Sequence, residues 1–210
     1  EVQHRVQKAL LEEQRGPGEV TILSVSKQQP ITAVDELFRA DQVNFGENFV
    51  QEATKKIAKL DHLNIDWHFI GHIQSNKTRD IAEQFQWVHT VDRMRVAIRL
   101  NDQRPHHFPP LNVCIQVNQA KEPQKGGVDP ISVEALARGI VELPCLQLRG
   151  LMTIPPTTQN PADNARFFAE LRNLKEQLVT KGIPMALLVA SSKIKIPHIP
   201  IINSIGMLIF

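Results

Sequence analysis

The chain has no tyrosine, so no phenol is available anywhere in it as an acid or base. Its two cysteines, Cys114 and Cys145, lie in no Cys-x-x-Cys motif and no Cys/His cluster. That excludes a disulfide framework or a zinc knuckle, and no metal site is expected. Both read as small buried core residues, which fits a reducing compartment such as the cytoplasm. No Gly-x-Gly-x-x-Gly follows any strand-like run, which counts against a Rossmann dinucleotide site. No apolar stretch approaches the roughly 20 residues of a membrane span. Charge of neither sign dominates: 24 Lys and Arg stand against 22 Asp and Glu, and the basic residues are scattered. A nucleic-acid partner would call for a basic stripe, so that class is set aside.

What is present is an ordinary globular composition, 42% apolar and 22% charged. EVQHRVQKALLEEQ at the start reads as an amphipathic helix, not a signal peptide. It opens on Glu1 with no initiator Met, so further residues are expected before it. Short apolar runs then alternate with stretches of helical period. The runs are TILSVS (21–26), QVNF (42–45), WHFI (67–70), WVHTV (87–91), LNVCIQVN (111–118), LQLRGLMTI (146–154), MALLVA (185–190) and, last, IPIINSIGMLIF. Between them, Ile31, Val34, Leu37 and Phe38 share one helical face, as do Val50, Ala53, Ile57 and Leu60, and Phe167, Leu171, Leu174 and Leu178. Gly46 reads as a turn, with Asn48 and Asp92 as helix caps. Strands alternating with helices imply parallel βαβ units. Eight of them predict an α/β fold, a single-domain (β/α)8 TIM-type barrel over residues 1–210 with an extra N-terminal helix, in preference to an open doubly wound sheet.

In such a barrel the chemistry sits at the C-terminal ends of the strands. That rule selects Ser26-Lys27, then Gly46, Glu47 and Asn48, then Gly71, His72, Ser75, Asn76 and Lys77. It also selects His89, Thr90, Asn118, Met152, Thr153, Ser191, Ser192, Ser204 and Gly206. Lys27 stands out, because burial at a barrel mouth disfavours an ammonium and a neutral amine can attack an aldehyde to form an imine. Position alone, however, favours a solvated lysine that ends a strand. His68, inside WHFI, reads as a satisfied core or helix-facing histidine. His72 serves equally as a phosphate contact or a strand end. Asn76 and Lys77 open a helix whose N-terminus suits an anion, and also read as ordinary capping residues. Glu47 as a general base competes with the simpler role of complementing a helix dipole. His106 and His107 read as exposed and inert, and Lys125-Gly126-Gly127 lacks P-loop spacing and reads as a turn.

Six segments in order, SVSK (24–27), NFGENFVQE (44–52), WHFIGHIQSNK (67–77), HTVDR (89–93), NVCIQVN (112–118) and LRGLMTIP (148–155), resemble the pyridoxal 5′-phosphate (PLP) homeostasis proteins. These are single-domain relatives of the alanine racemase N-terminal barrel. FGEN followed by HFIGHIQSNK is the specific combination, and the likeness covers about residues 1–185. The resemblance implies that Lys27 carries PLP as a Schiff base, that Asn48 and the segment around His72 lie near the cofactor, and that Met152 lines its pocket. It further implies a cytoplasmic protein in PLP homeostasis and delivery, without robust catalytic turnover. PLP-dependent apo-enzymes would be the recipients, and the chain a monomer. Alanine racemases add a β-rich C-terminal domain and use a tyrosine as second acid/base. This chain has neither the residues for that domain nor the tyrosine, so racemisation is expected to be weak or absent. The alternatives are a PLP-dependent racemase-like enzyme and a cofactor-free Schiff-base aldolase.

Residues 186–210 depart from the family pattern, which runs Ser-x-Gly-Met-Ser-x-Asp, a helix, then a last strand with an arginine. Here Ser191 and Ser192 stand where the phosphate-binding serines are expected, Ser204 takes the arginine's place before Gly206, and Pro197 and Pro200 would break the helix. Phosphate anchoring is therefore expected to be weakened, by about 1.5–3 kcal/mol for each charged hydrogen bond lost.

Overall fold

The computed structural model describes residues 2–122, 125–155, 161–192 and 206–209. After the N-terminal helix α1 (Val2–Glu12), seven strands run β1 (Thr21–Val25), β2 (Asn44–Glu47), β3 (Asp66–Phe69), β4 (Trp87–Val91), β5 (Leu111–Val117), β6 (Leu146–Thr153) and β7 (Leu187–Ser192). Between them lie α2 (Ile31–Phe38), α3 (Val50–Lys59), α4 (Thr78–Gln84), α5 (Met94–Gln103), α6 (Val133–Val141) and α7 (Pro161–Thr180). Each strand pairs in parallel with the next, so the sheet curls with its helices outside. All seven C-terminal ends therefore face one mouth.

The expected eighth parallel strand is corrected. β8 (Gly206–Ile209) runs antiparallel, pairing Gly206 with Ser24 of β1 and with Ser192 of β7. Two boundaries also shift. β2 begins at Asn44 because the Gln42 side chain donates to the Ile22 and Asn44 carbonyls instead of continuing the ladder. Gly46 lies inside that strand, paired with Val25 and His68. Its missing Cβ leaves room for the Ile70 and Leu23 side chains, since a Cβ there would stand 3.0 Å from Ile70 Cδ1. Neither Asn48 nor Asp92 is a cap: Phe49 and Arg93 hold those positions, without side-chain capping hydrogen bonds.

Strand side chains alternate between two layers. Phe45, Trp67, Phe69, Val88, Val113, Ile115 and Leu151 pack outward against the helices with Ala53, Ile81, Phe85, Val96 and Leu136. Each fully buried apolar side chain of this size stabilises the fold by roughly 1.5–3 kcal/mol. Inside the curl lies a second cluster, Leu23, Val25, Ile70, Cys114, Met152 and Val189, with Trp87 and Leu187 against it. The interior is not wholly apolar. His68 is buried there, not facing a helix, stacked on Trp87 and His89, while the Arg149 guanidinium lies 5.4 Å from the Trp87 ring centre.

Candidate functional site

Lys27 lies in the turn that follows β1, two residues beyond Val25, which with Leu23 belongs to the interior cluster. Lys27 is half-buried, and its amine has no hydrogen bond or ion pair with any described residue. The backbone on either side of it is held firmly. Ser26 donates its N–H to the Gly46 carbonyl and its hydroxyl to Glu47 Oε1 at 2.7 Å. Lys56 Nζ, on α3, donates to the Ser26 carbonyl at 2.6 Å. The Gln28 N–H donates to Glu52 Oε1 at 2.6 Å, with Gln28 itself in the left-handed region at φ 60°.

Lys56 is the opposite of Lys27. Its side chain is 5% exposed, and its three protons go to Ser26 O, Glu47 Oε1 and Glu52 Oε1. An ammonium so saturated is a structural cation, not a nucleophile. Burial pushes the Glu47 carboxyl above its ordinary value, against the hydrogen bonds from Lys56 and Ser26, and Glu47 Oε2 has no partner. Glu47 is thus neither an exposed general base nor a helix-dipole group, but the floor of the Lys27 loop.

The strand ends beside β1 bring two further expected residues together. Asn48 follows β2 and His72 follows β3, and both line a pocket of about 480 Å³ with Phe49, Val50, Gln51, Phe69, Gln74 and Lys77. The loops touch at Gly71, where a Cβ would stand 2.0 Å from the Asn48 carbonyl oxygen. Asn48 Oδ1 is buried without a partner, and His72 is exposed. Met152, near the end of β6, is fully buried in the interior cluster with Val25. Ser191 and Ser192 end β7, with Gly206 paired to Ser192 and to Ser24. Ser204, Pro197 and Pro200 lie outside the described residues. Elsewhere, His106 and His107 are exposed. Among the described residues no group of three or more His, Cys, Asp or Glu is placed to hold a metal ion. No described helix is long and apolar enough to cross a membrane.

Deeper in the curl runs a chain of polar groups. His68 Nε2 lies 3.1 Å from Asn44 Oδ1, and His68 Nδ1 lies 2.8 Å from His89 Nε2. Desolvation holds both rings neutral: His68 falls well below its ordinary value and His89 falls to about 3. An amide oxygen only accepts. His68 Nε2 therefore carries its proton, His89 Nε2–H donates to His68 Nδ1, and His89 Nδ1 remains a buried acceptor without a partner.

Lys56, Glu52 and the His68–His89 pair did not stand out in the sequence. Lys56 had a signal, because it sits three residues after Ala53 on the apolar stripe of α3, where a charge must find buried partners.

A curled parallel α/β sheet, with a lysine in the loop after its first strand that has no partner among the described residues, defines the class. Within that class the chain belongs to the alanine racemase N-terminal domain family, which it matches over residues 7–197. It is 52% identical over 171 residues to the pyridoxal phosphate homeostasis protein of Pseudomonas aeruginosa, covering 81% of this chain and 74% of that one. To the protein of the same name in Escherichia coli K12 it is 43% identical over 196 residues, 92% and 77% of the two chains. PipY of Synechococcus elongatus with PLP bound superposes with a TM-score of 0.73 at 33% identity, covering 86% of this chain and 83% of that one. A Clostridium difficile alanine racemase, 14% identical with a TM-score of 0.67, covers 89% of this chain and 50% of its own, and shares the fold.

Proposed function

We propose that this chain binds PLP as a Schiff base on Lys27 and serves intracellular PLP homeostasis and delivery, without robust turnover. The observation that carries the reading is the contrast between two lysines, Lys27 in the loop after β1 and Lys56 on α3 beneath that loop. Lys56 is saturated by three acceptors, while Lys27 has no hydrogen-bond or ion-pair partner among the described residues and sits on a clamped backbone. The bound cofactor supplies an aldehyde. The Lys27 amine is the group that would hold that aldehyde carbon, on a backbone that the loop keeps fixed. The residues present suit the group: Asn48, with a buried side-chain oxygen that has no partner, and His72 line a pocket beside the strand ends, and Met152 lies in the apolar interior cluster with Val25. Ser191 and Ser192, which end β7, and Gly206, which pairs with Ser24, are the residues proposed to hold the phosphate, with Ser204 as a further candidate. PLP bound to PipY, 33% identical, supports the same cofactor here.

In this reading residues 1–210 act as one domain, with the antiparallel β8 closing the curled sheet between β7 and β1, and the protein works in the cytoplasm as a monomer that passes PLP to apo-enzymes. No tyrosine among the 210 residues can donate a second proton, and a two-base racemase needs one opposite its lysine. The test is to load purified protein with PLP and follow deuterium exchange at Cα over a panel of amino acids. Yellow protein with exchange no faster than free PLP supports a carrier. Exchange well above free PLP overturns the absence of turnover, and protein that takes up no PLP overturns the whole reading.

A further inference from the structure

The backbone around Lys27 is held from below by a second lysine. Three acceptors converge on Lys56 Nζ: the Ser26 carbonyl at 2.6 Å, Glu47 Oε1 at 2.7 Å and Glu52 Oε1 at 2.7 Å. The same two carboxylates reach the chain on both sides of Lys27. Glu47 Oε1 accepts from the Ser26 hydroxyl, and Glu52 Oε1 accepts from the Gln28 N–H. The cluster is buried at Glu47 and Lys56, and the Glu52 side chain is 27% exposed. Gln28 sits at φ 60°, a conformation a non-glycine residue keeps only when its surroundings hold it. Here the holder is Glu52, and Glu52 is itself held by Lys56 one helical turn away.

We propose that Lys56, acting with Glu52 through the Ser26 carbonyl and the Gln28 N–H, is a positioning residue that fixes the reach and direction of the Lys27 amine toward its aldehyde. This rests on Lys27 as the PLP lysine and adds a cause for its orientation. The physical basis is geometric. An amine must approach a carbonyl carbon within a narrow range of distance and angle, and displacements of about 1 Å cost up to about a hundredfold in rate. Lys27 has four rotatable side-chain bonds and no partner among the described residues, so its backbone is the part that can be pre-set. Without Lys56 the two carboxylates lose their shared cation, the Ser26 carbonyl loses its donor, and Glu52, the acceptor for the Gln28 N–H, loses its hold. Lys56 touches no cofactor in this scheme. Its effect passes entirely through the loop.

The experiment follows the rate of Schiff-base absorbance on mixing with saturating PLP, with thermal unfolding of the same samples in parallel. Lys56→Met removes the cation, Glu52→Gln weakens the acceptor for Gln28 on a partly exposed side chain, and Lys27→Ala is the control. The proposal expects Lys56→Met to slow the absorbance by about tenfold or more and Glu52→Gln by a smaller factor. Glu52→Gln should do so at an unchanged unfolding midpoint, which a merely structural role would move. If Lys56→Met does not fold, Glu52→Gln alone decides. Rates equal to the unsubstituted protein in the folded variants overturn the proposal while Lys27→Ala stays colourless, leaving Lys27 itself intact. Absorbance that survives Lys27→Ala overturns both.

Discussion

His68 Nδ1 and His89 Nε2 lie 2.8 Å apart inside the curl, two neutral rings in which one donates to the other. Desolvation is the first cause for both, so the folded protein resists charging them. The unfolded chain titrates them near the ordinary value of about 6.5. Their contribution is therefore whole above that value and is lost as pH falls toward about 3, the folded value of His89. His89 alone gives a slope of about 1.4 kcal/mol per pH unit across that window. Urea unfolding at a series of pH values should show His89→Gln with a shallower acid limb by about that amount. An unchanged slope would mean that His89 is already charged in the fold.

Gly71 allows the loops after β2 and β3 to touch. With a Cβ 2.0 Å from the Asn48 carbonyl oxygen, Gly71→Ala must move backbone and not merely a side chain. The expected cost is about 1–3 kcal/mol in denaturant unfolding, together with weaker PLP binding, because Asn48 moves with the loop. Binding and stability both equal to those of the unsubstituted protein would contradict that packing.

The two thiols should separate cleanly. Cys114 is fully buried, and its thiol is pushed up to about 12 by desolvation, whereas Cys145 is half-buried. Thiolate is the reactive form. An aromatic disulfide reagent should therefore label one thiol per native chain, Cys145, and two after denaturation. Rapid labelling of both in the native state would place Cys114 outside the core.

Much of the fold was legible because the strand signals are local. WVHTV coincides with β4, and the period of α3 placed Val50 and Ala53 in the core. Gly46 misled because a glycine inside a short strand looks like a turn until its neighbours are known. Its reason for being there is the approach of Ile70. The direction of β8 was not legible at all, since an apolar run carries no sign of whether it pairs parallel or antiparallel. At the proposed site, strand order only placed Lys27 among the candidates, and the motif singled it out. Its brace could not, because the contacts of Lys56 span 30 residues to Ser26 and only the fold brings them together. The His68–His89 pair was hidden for the same reason: each histidine sits in its own strand, and a lone strand histidine carries no sign of a partner 21 residues away.

The measurement that tests the account most directly is borohydride reduction of the PLP-loaded protein, followed by peptide mass mapping, with Lys27→Ala alongside. The account predicts that the visible absorbance disappears on reduction and that a reduced pyridoxyl-phosphate adduct is found on the peptide containing Lys27. It also predicts that Lys27→Ala shows neither absorbance nor adduct while unfolding at the same midpoint. An adduct on Lys56 or elsewhere, or absorbance that persists in Lys27→Ala, would contradict it.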